Sequence, residues 1–158
     1  MATNLTEGQP APDFNVETDK GEKVSLKDYA GKHVVLYFYP KDDTPGCTIE
    51  ACNFRDNFSV LEEAGAVVLG ISLDDVDSHQ KFRDKFELPF TLLADPDHSV
   101  SDAYGVYGKK DFRGHEYMGI DRATFIIGPD STLEKVWPHV DPNDHALQVL
   151  EHLRGHSD

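Results

Sequence analysis

The segment DDTPGCTIEAC, residues 42–52, holds both cysteines of the chain, Cys47 and Cys52. Thr44, Pro45 and Gly46 precede the first of them, and that order reads as a helix start, with Thr44 as N-cap, Pro45 at the first helical position and Cys47 at the third. Amides in a first helical turn lack intrahelical partners and carry the positive end of the dipole, so a thiol placed there is favoured as thiolate, its nucleophilic form. Five helical steps on, Cys52 is turned by about 500°, which leaves the side chains ~140° apart, with a rise of ~7.5 Å and a Cα separation of ~8.7 Å. A disulfide needs roughly 4.4–6.8 Å. An intact helix therefore keeps the sulfurs apart, and a bridge requires the first turns to unwind. The chemistry this permits has two steps: Cys47 attacks and becomes a sulfenic acid, as cleavage of a peroxide O–O bond would leave it, and Cys52 reaches it after local melting.

The residues alone leave other readings open. Cys47 could be a small buried hydrophobe. Zinc would need a second ligand pair that nothing near the two cysteines supplies, and the one close histidine pair, His152 and His156, straddles Gly155. No metal site is expected. The leaving oxygen of a cleaved O–O bond gains negative charge, so peroxide chemistry calls for donors and a cation. Thr44 offers a hydroxyl and the helix start its amides. Arg122, in GIDRATFII, immediately precedes a buried strand, the kind of strand-end position where open α/β sheets assemble sites. A surface arginine at a strand end is the plain alternative.

The positioning elements follow from periodicity. Continuous apolar runs at 34–39, 66–73 and 123–127 read as strands buried on both faces, and TLEKVW after the GPDS turn returns as an antiparallel strand. Helices are expected at about 47–64, where Phe54, Phe58 and Leu61 share a face, and at about 76–86, where His79, Phe82 and Phe86 do, with a short strand in ELPFTLLADP. A last helix is expected with Asp141 as cap, Pro142 at its first position and a stripe of Ala146, Leu147, Leu150 and Leu153. Strands alternating with helices indicate an α/β three-layer sandwich. At 158 residues without repeat or linker the chain reads as one domain.

A net charge of −14 argues against nucleic acid and anionic membrane as partners. No apolar run approaches the ~20 residues of a membrane span, and the N-terminus lacks the pattern of a secretory signal, so the expected compartment is cytoplasmic. Two cysteines in a reducing compartment point away from a permanent structural bridge.

At this level of detail the chain resembles the peroxiredoxins, and within them the bacterioferritin comigratory protein or peroxiredoxin Q group. Pro40, Thr44 and Cys47 in PKDDTPGC match the active-site pattern, and Cys52 the group's second cysteine. LGISLDDVDSHQKF, LPFTLLADPDHSVSDAYGVYG and YMGIDRATFIIGPDSTLEKVW look like the corresponding stretches, so the likeness runs over nearly the whole chain. It implies a thioredoxin-like fold and reduction of hydrogen peroxide and organic hydroperoxides, with Cys47 peroxidatic, Cys52 resolving and Arg122 the active-site arginine. Thr44 would hydrogen-bond thiolate and peroxide, Pro40 would shield the site from water, and Glu50 would orient the arginine, unless it serves only the helix dipole. Gly46 supports the site. Thioredoxin or a related dithiol protein is the implied reductant, with no metal or organic cofactor, and a monomer the implied state. Asp144 departs from the group, which usually carries glycine there. A redox sensor whose disulfide signals without turnover, and a general disulfide oxidoreductase, are the competing functions. The second is disfavoured by the missing two-residue loop between cysteines.

Overall fold

Residues 3–155 are described by a computed structural model, and its frame is a mixed seven-stranded sheet. In chain order the elements are β1 (Asn15–Thr18), β2 (Lys23–Ser25), β3 (His33–Phe38), α1 (Pro45–Asp56), α2 (Phe58–Glu63), β4 (Ala66–Ser72), α3 (Val76–Phe86) and β5 (Thr91–Ala94). There follow α4 (Ser99–Ala103), β6 (Tyr107–Phe112), β7 (His115–Ile120), β8 (Ala123–Ile127), β9 (Leu133–Trp137) and α5 (His145–Gly155). The sheet order is β2-β1-β5-β4-β3-β8-β9, with β6 and β7 forming a separate hairpin.

The all-apolar runs make the centre, because β3, β4 and β5 pair in parallel and are covered on both faces. Pleating sends alternate residues of β3 and its extension to opposite cores. Val35, Tyr37 and Tyr39 meet residues of α1, α2, α3 and α5, whereas Val34, Leu36 and Phe38 meet Val100, Tyr104 and Phe125. Gly70 is required on this sheet, since a β-carbon there would lie 2.9 Å from the Tyr37 ring and hydroxyl. The result is the α/β three-layer sandwich expected from the sequence.

Two helix expectations need correction. The helix read as 47–64 is two, broken at Asn57 (φ −112°, ψ 10°), where the Asn57 side-chain Nδ2 donates to the Asn53 carbonyl and competes with the backbone ladder. The last helix starts at His145, not Pro142, because Asp141 closes a turn on Asn143 instead of capping. Asp144 sits at φ +60° just before it, a left-handed conformation that explains why glycine suits this position. The buried stripe is His145, Ala146, Val149, Leu150 and Leu153, and Leu147 points outward. His156 lies outside the described residues. The hairpins β1–β2 and β6–β7 were not legible, as their polar strands carry no strong period. Among the described residues no helix is long and apolar enough to cross a membrane.

Candidate active site

Antiparallel pairing of β8 with β3 sets Ala123 beside Phe38, so the entry to β8 and the exit of β3 lie side by side at one end of the sheet. Arg122 stands at that entry, its carbonyl held by the Val140 amide at 3.0 Å. The exit of β3 leads through residues 39–44 into α1, and residues 75 apart in sequence thereby meet.

The helix start is as expected in position. Thr44 is extended (φ −101°, ψ 157°), Pro45 opens α1, and Cys47 is buried in its first turn. The Thr44 side chain does not cap, however; its hydroxyl donates to the Lys41 carbonyl at 2.8 Å, which leaves first-turn amides uncapped by it. Arg122 reaches across this start with both terminal nitrogens, Nη2 donating to Cys47 Sγ at 3.3 Å and Nη1 to Glu50 Oε1 at 2.7 Å. Gly46 makes room, because a β-carbon there would lie 3.0 Å from Arg122 Nη2. Pro40 is exposed.

Burial sets the electrostatics. The Arg122 side chain is 16% exposed and Glu50 fully enclosed. Burial pushes the Glu50 carboxyl up to about 7 even against the pull of Arg122. Burial works against the Arg122 charge too, but Glu50 and Cys47 together outweigh it and the guanidinium is held more firmly than usual. Among the described residues, Glu50 Oε2 and the Tyr37 hydroxyl, both buried, have no hydrogen-bond partner. Burial, then the neighbouring Glu50 and Cys47, keep Tyr37 protonated. Cys52 is half-buried on another side of the same helix, and both thiols are free.

Cys47, Glu50, Gly46 and Arg122 are thus brought together, and Thr44 stands at the same helix start. The sequence reading missed Asp42 and gave His79 only a place on an apolar face. In the structure Asp42 Oδ2 faces His79 Nδ1 at 2.7 Å within the core; the sequence offered a histidine on the apolar face of Phe82 and Phe86, while Asp42 lies in the polar run KDDT and gave no signal.

A thioredoxin-fold thiol enzyme is the class that this sheet and this cysteine–arginine site define. The comparisons with known proteins narrow the class. Residues 7–136 match the AhpC/TSA family. A Coxiella burnetii protein named as a peroxiredoxin bcp is 53% identical over 146 residues, 92% of this chain and 97% of that one. Peroxiredoxin Bcp of Bacillus subtilis is 48% identical over 151 residues, 96% of each chain. The Xanthomonas campestris bacterioferritin comigratory protein superposes with a TM-score of 0.89 at 33% identity, covering 97% of this chain and 100% of that one. The chain belongs to the AhpC/TSA family, and within it to the Bcp or peroxiredoxin Q peroxiredoxins. It is a peroxidase, and its fold is the thioredoxin fold.

Proposed function

We propose that Cys47 is the peroxidatic and Cys52 the resolving cysteine of a hydroperoxide reductase recycled by thioredoxin. The observation that carries this reading is the Arg122 guanidinium, placed between the Cys47 sulfur and Glu50. A cation beside the sulfur favours thiolate and stabilises the charge that develops on the leaving oxygen. The thiolate attacks the nearer oxygen of ROOH; the O–O bond breaks, the departing RO⁻ takes a proton as ROH, and sulfur is left as Cys47–SOH. Cys52 then displaces water from the sulfenic acid to form the disulfide, which a dithiol protein reduces by exchange.

Cys52 has to approach by unwinding, as the ~140° helical offset keeps the thiols apart while α1 is intact. Thr44 presents its hydroxyl at the helix start, Pro40 borders the entrance, Gly46 admits the guanidinium and Glu50 orients it. Both hydrogen peroxide and organic hydroperoxides are taken as substrates. The related Xanthomonas campestris protein has been studied for its alkyl peroxide reduction activity, which supports the second class. The working unit is one domain, monomeric and cytoplasmic.

Steady-state peroxide consumption with thioredoxin, its reductase and NADPH tests this reading. Continuous turnover that Cys47→Ser abolishes is expected. A single turnover followed by silence would favour a sensor, and peroxide loss unaffected by Cys47→Ser would contradict the assignment. With Cys52→Ser, thioredoxin-driven turnover should fail while sulfenic or over-oxidised sulfur accumulates at Cys47.

A further inference from the structure

Residues 39–44 connect β3 to the reactive helix, and several of their polar contacts are made outside α1. Asp42 is buried at 8% exposure, and both its carboxylate oxygens are used. Oδ1 accepts from the Tyr39 hydroxyl at 2.6 Å, and Oδ2 from the Ser78 hydroxyl at 2.8 Å and from His79 Nδ1 at 2.7 Å. The Asp42 amide donates to Asp74 Oδ2 at 2.8 Å, and Ser72 donates to the same oxygen at 2.7 Å. His79 Nε2 faces the Leu93 carbonyl at 2.7 Å. Both ring nitrogens of a fully buried imidazole therefore face acceptors, which requires a hydrogen on each and makes the pair an imidazolium and a carboxylate. Burial disfavours that charge, but the Asp42 hydrogen bond and charge, with Asp74 nearby, outweigh it.

The next residue, Asp43, is held at φ +58°, a conformation costly for a non-glycine side chain and sustained only where the surroundings impose it. Lys85 Nζ pairs with it at 2.7 Å. Thr44 follows, its hydroxyl turned back on the Lys41 carbonyl. Helix α3 thus grips the segment at Asp42 and Asp43, a few residues ahead of Cys47. All these contacts lie upstream of the turns that must open to join Cys47 to Cys52.

We propose that Asp42 and His79 are positioning residues for the peroxide reaction: their buried ion pair fixes the β3–α1 segment so that Thr44 and Cys47 return to one alignment against Arg122 after each opening of α1. This rests on the catalytic reading above and extends it to residues that touch neither sulfur nor peroxide. Displacements of about 1 Å at a reacting group cost up to ~100-fold in rate, so loosening the anchor should slow attack on peroxide without abolishing thiol reactivity. Simple alkylation of Cys47 needs only an accessible thiolate and no alignment with Thr44 and Arg122.

The test compares two second-order rate constants for Cys47, with hydrogen peroxide and with iodoacetamide, in the parental chain, Asp42→Asn and Ser78→Ala, each on a Cys52→Ser background. For Asp42→Asn the peroxide rate should fall about tenfold or more and the alkylation rate change less than about threefold. Ser78→Ala removes one hydrogen bond to the Asp42 carboxylate and leaves its pairing with His79 in place, so it keeps the test readable if Asp42→Asn does not fold, with a peroxide-specific loss of about threefold. A peroxide rate equal to the parental one in a folded variant overturns the anchor alone, and so does a parallel change in both rates, which marks general loosening. A parental Cys47 that does not react with peroxide overturns the catalytic reading and the anchor together.

Discussion

Two buried ion pairs flank Cys47, and they are built to opposite standards. The Asp42–His79 pair is complete: side chains 4% and 0% exposed, both carboxylate oxygens occupied and both ring nitrogens facing acceptors. The Glu50–Arg122 pair, equally short at 2.7 Å, is incomplete. Glu50 leaves one oxygen without a partner among the described residues, and Arg122 divides its guanidinium between the carboxylate and a sulfur. A buried charge with unmet hydrogen bonds costs free energy that a complete network does not. The difference separates a part that stays from a part that changes. Asp42 anchors the chain ahead of the cysteine, whereas Arg122 serves a sulfur whose charge and position alter at each step of the proposed cycle.

The comparison breaks most visibly at Arg122. Arg122→Met removes the cation from the sulfur and leaves Glu50 buried alone. Stopped-flow measurement should show the peroxide rate falling by about 10²–10³-fold, and denaturant unfolding at pH 8 a loss of about 3 kcal/mol. A rate within tenfold of the parent would mean that the guanidinium is not the electrostatic partner of the reaction.

Glu50→Gln sharpens the comparison through pH. The Glu50 carboxyl moves from an ordinary 4.5 to about 7 because burial outweighs Arg122. A carboxyl that holds its proton more tightly when folded stabilises fully below pH 4.5 and loses that contribution as pH rises through about 7. At ~1.36 kcal/mol per pH unit this group should cost the parent about 3 kcal/mol between those limits. Unfolding free energies at pH 4.5 and 7.5 should differ by that much less in Glu50→Gln; equal pH slopes would show that the incomplete pair carries no such strain.

Smaller effects follow at the edges of the site. Gly46→Ala sets a methyl group 3.0 Å from Arg122 Nη2 and should lower the peroxide rate about tenfold by displacing the guanidinium, with thermal stability within about 1 kcal/mol of the parent. Tyr37→Phe deletes a buried hydroxyl that has no hydrogen-bond partner among the described residues. Its melting temperature should match or slightly exceed the parental one, by the equivalent of up to about 1 kcal/mol. A clear destabilisation would show that this hydroxyl is bonded after all.

Much of this was legible in the sequence, for reasons that differ by residue. The central strands announced themselves as apolar runs, and α3 by the shared face of His79, Phe82 and Phe86. Cys47 was readable because Thr44, Pro45 and Gly46 spell a helix start; Arg122, beside a buried strand, was a weak signal on its own, raised by the thiol motif and the family resemblance. What sequence could not carry was pairing across space. That Arg122 meets Glu50 was implied by the family resemblance alone, because it depends on β8 lying antiparallel to β3, a tertiary fact. Asp42 and His79 are 37 positions apart, and neither has a local partner that betrays the other. The break at Asn57 turned on one side-chain amide finding the Asn53 carbonyl, a local competition invisible to hydrophobic periodicity. Leu147 illustrates the same limit, since an apolar residue at a helical position can still face water.

The central claim is that one short helix alternates between an intact state that holds Cys47 on Arg122 and an opened state that delivers it to Cys52. Non-reducing peptide mapping by mass spectrometry, after reduced protein meets one equivalent of hydrogen peroxide, tests it most directly. The account predicts loss of both thiols within a single chain, a mass lower by about 2 Da and a linked peptide joining Cys47 to Cys52. Two free thiols after peroxide is consumed, or a linkage only between chains, would contradict it.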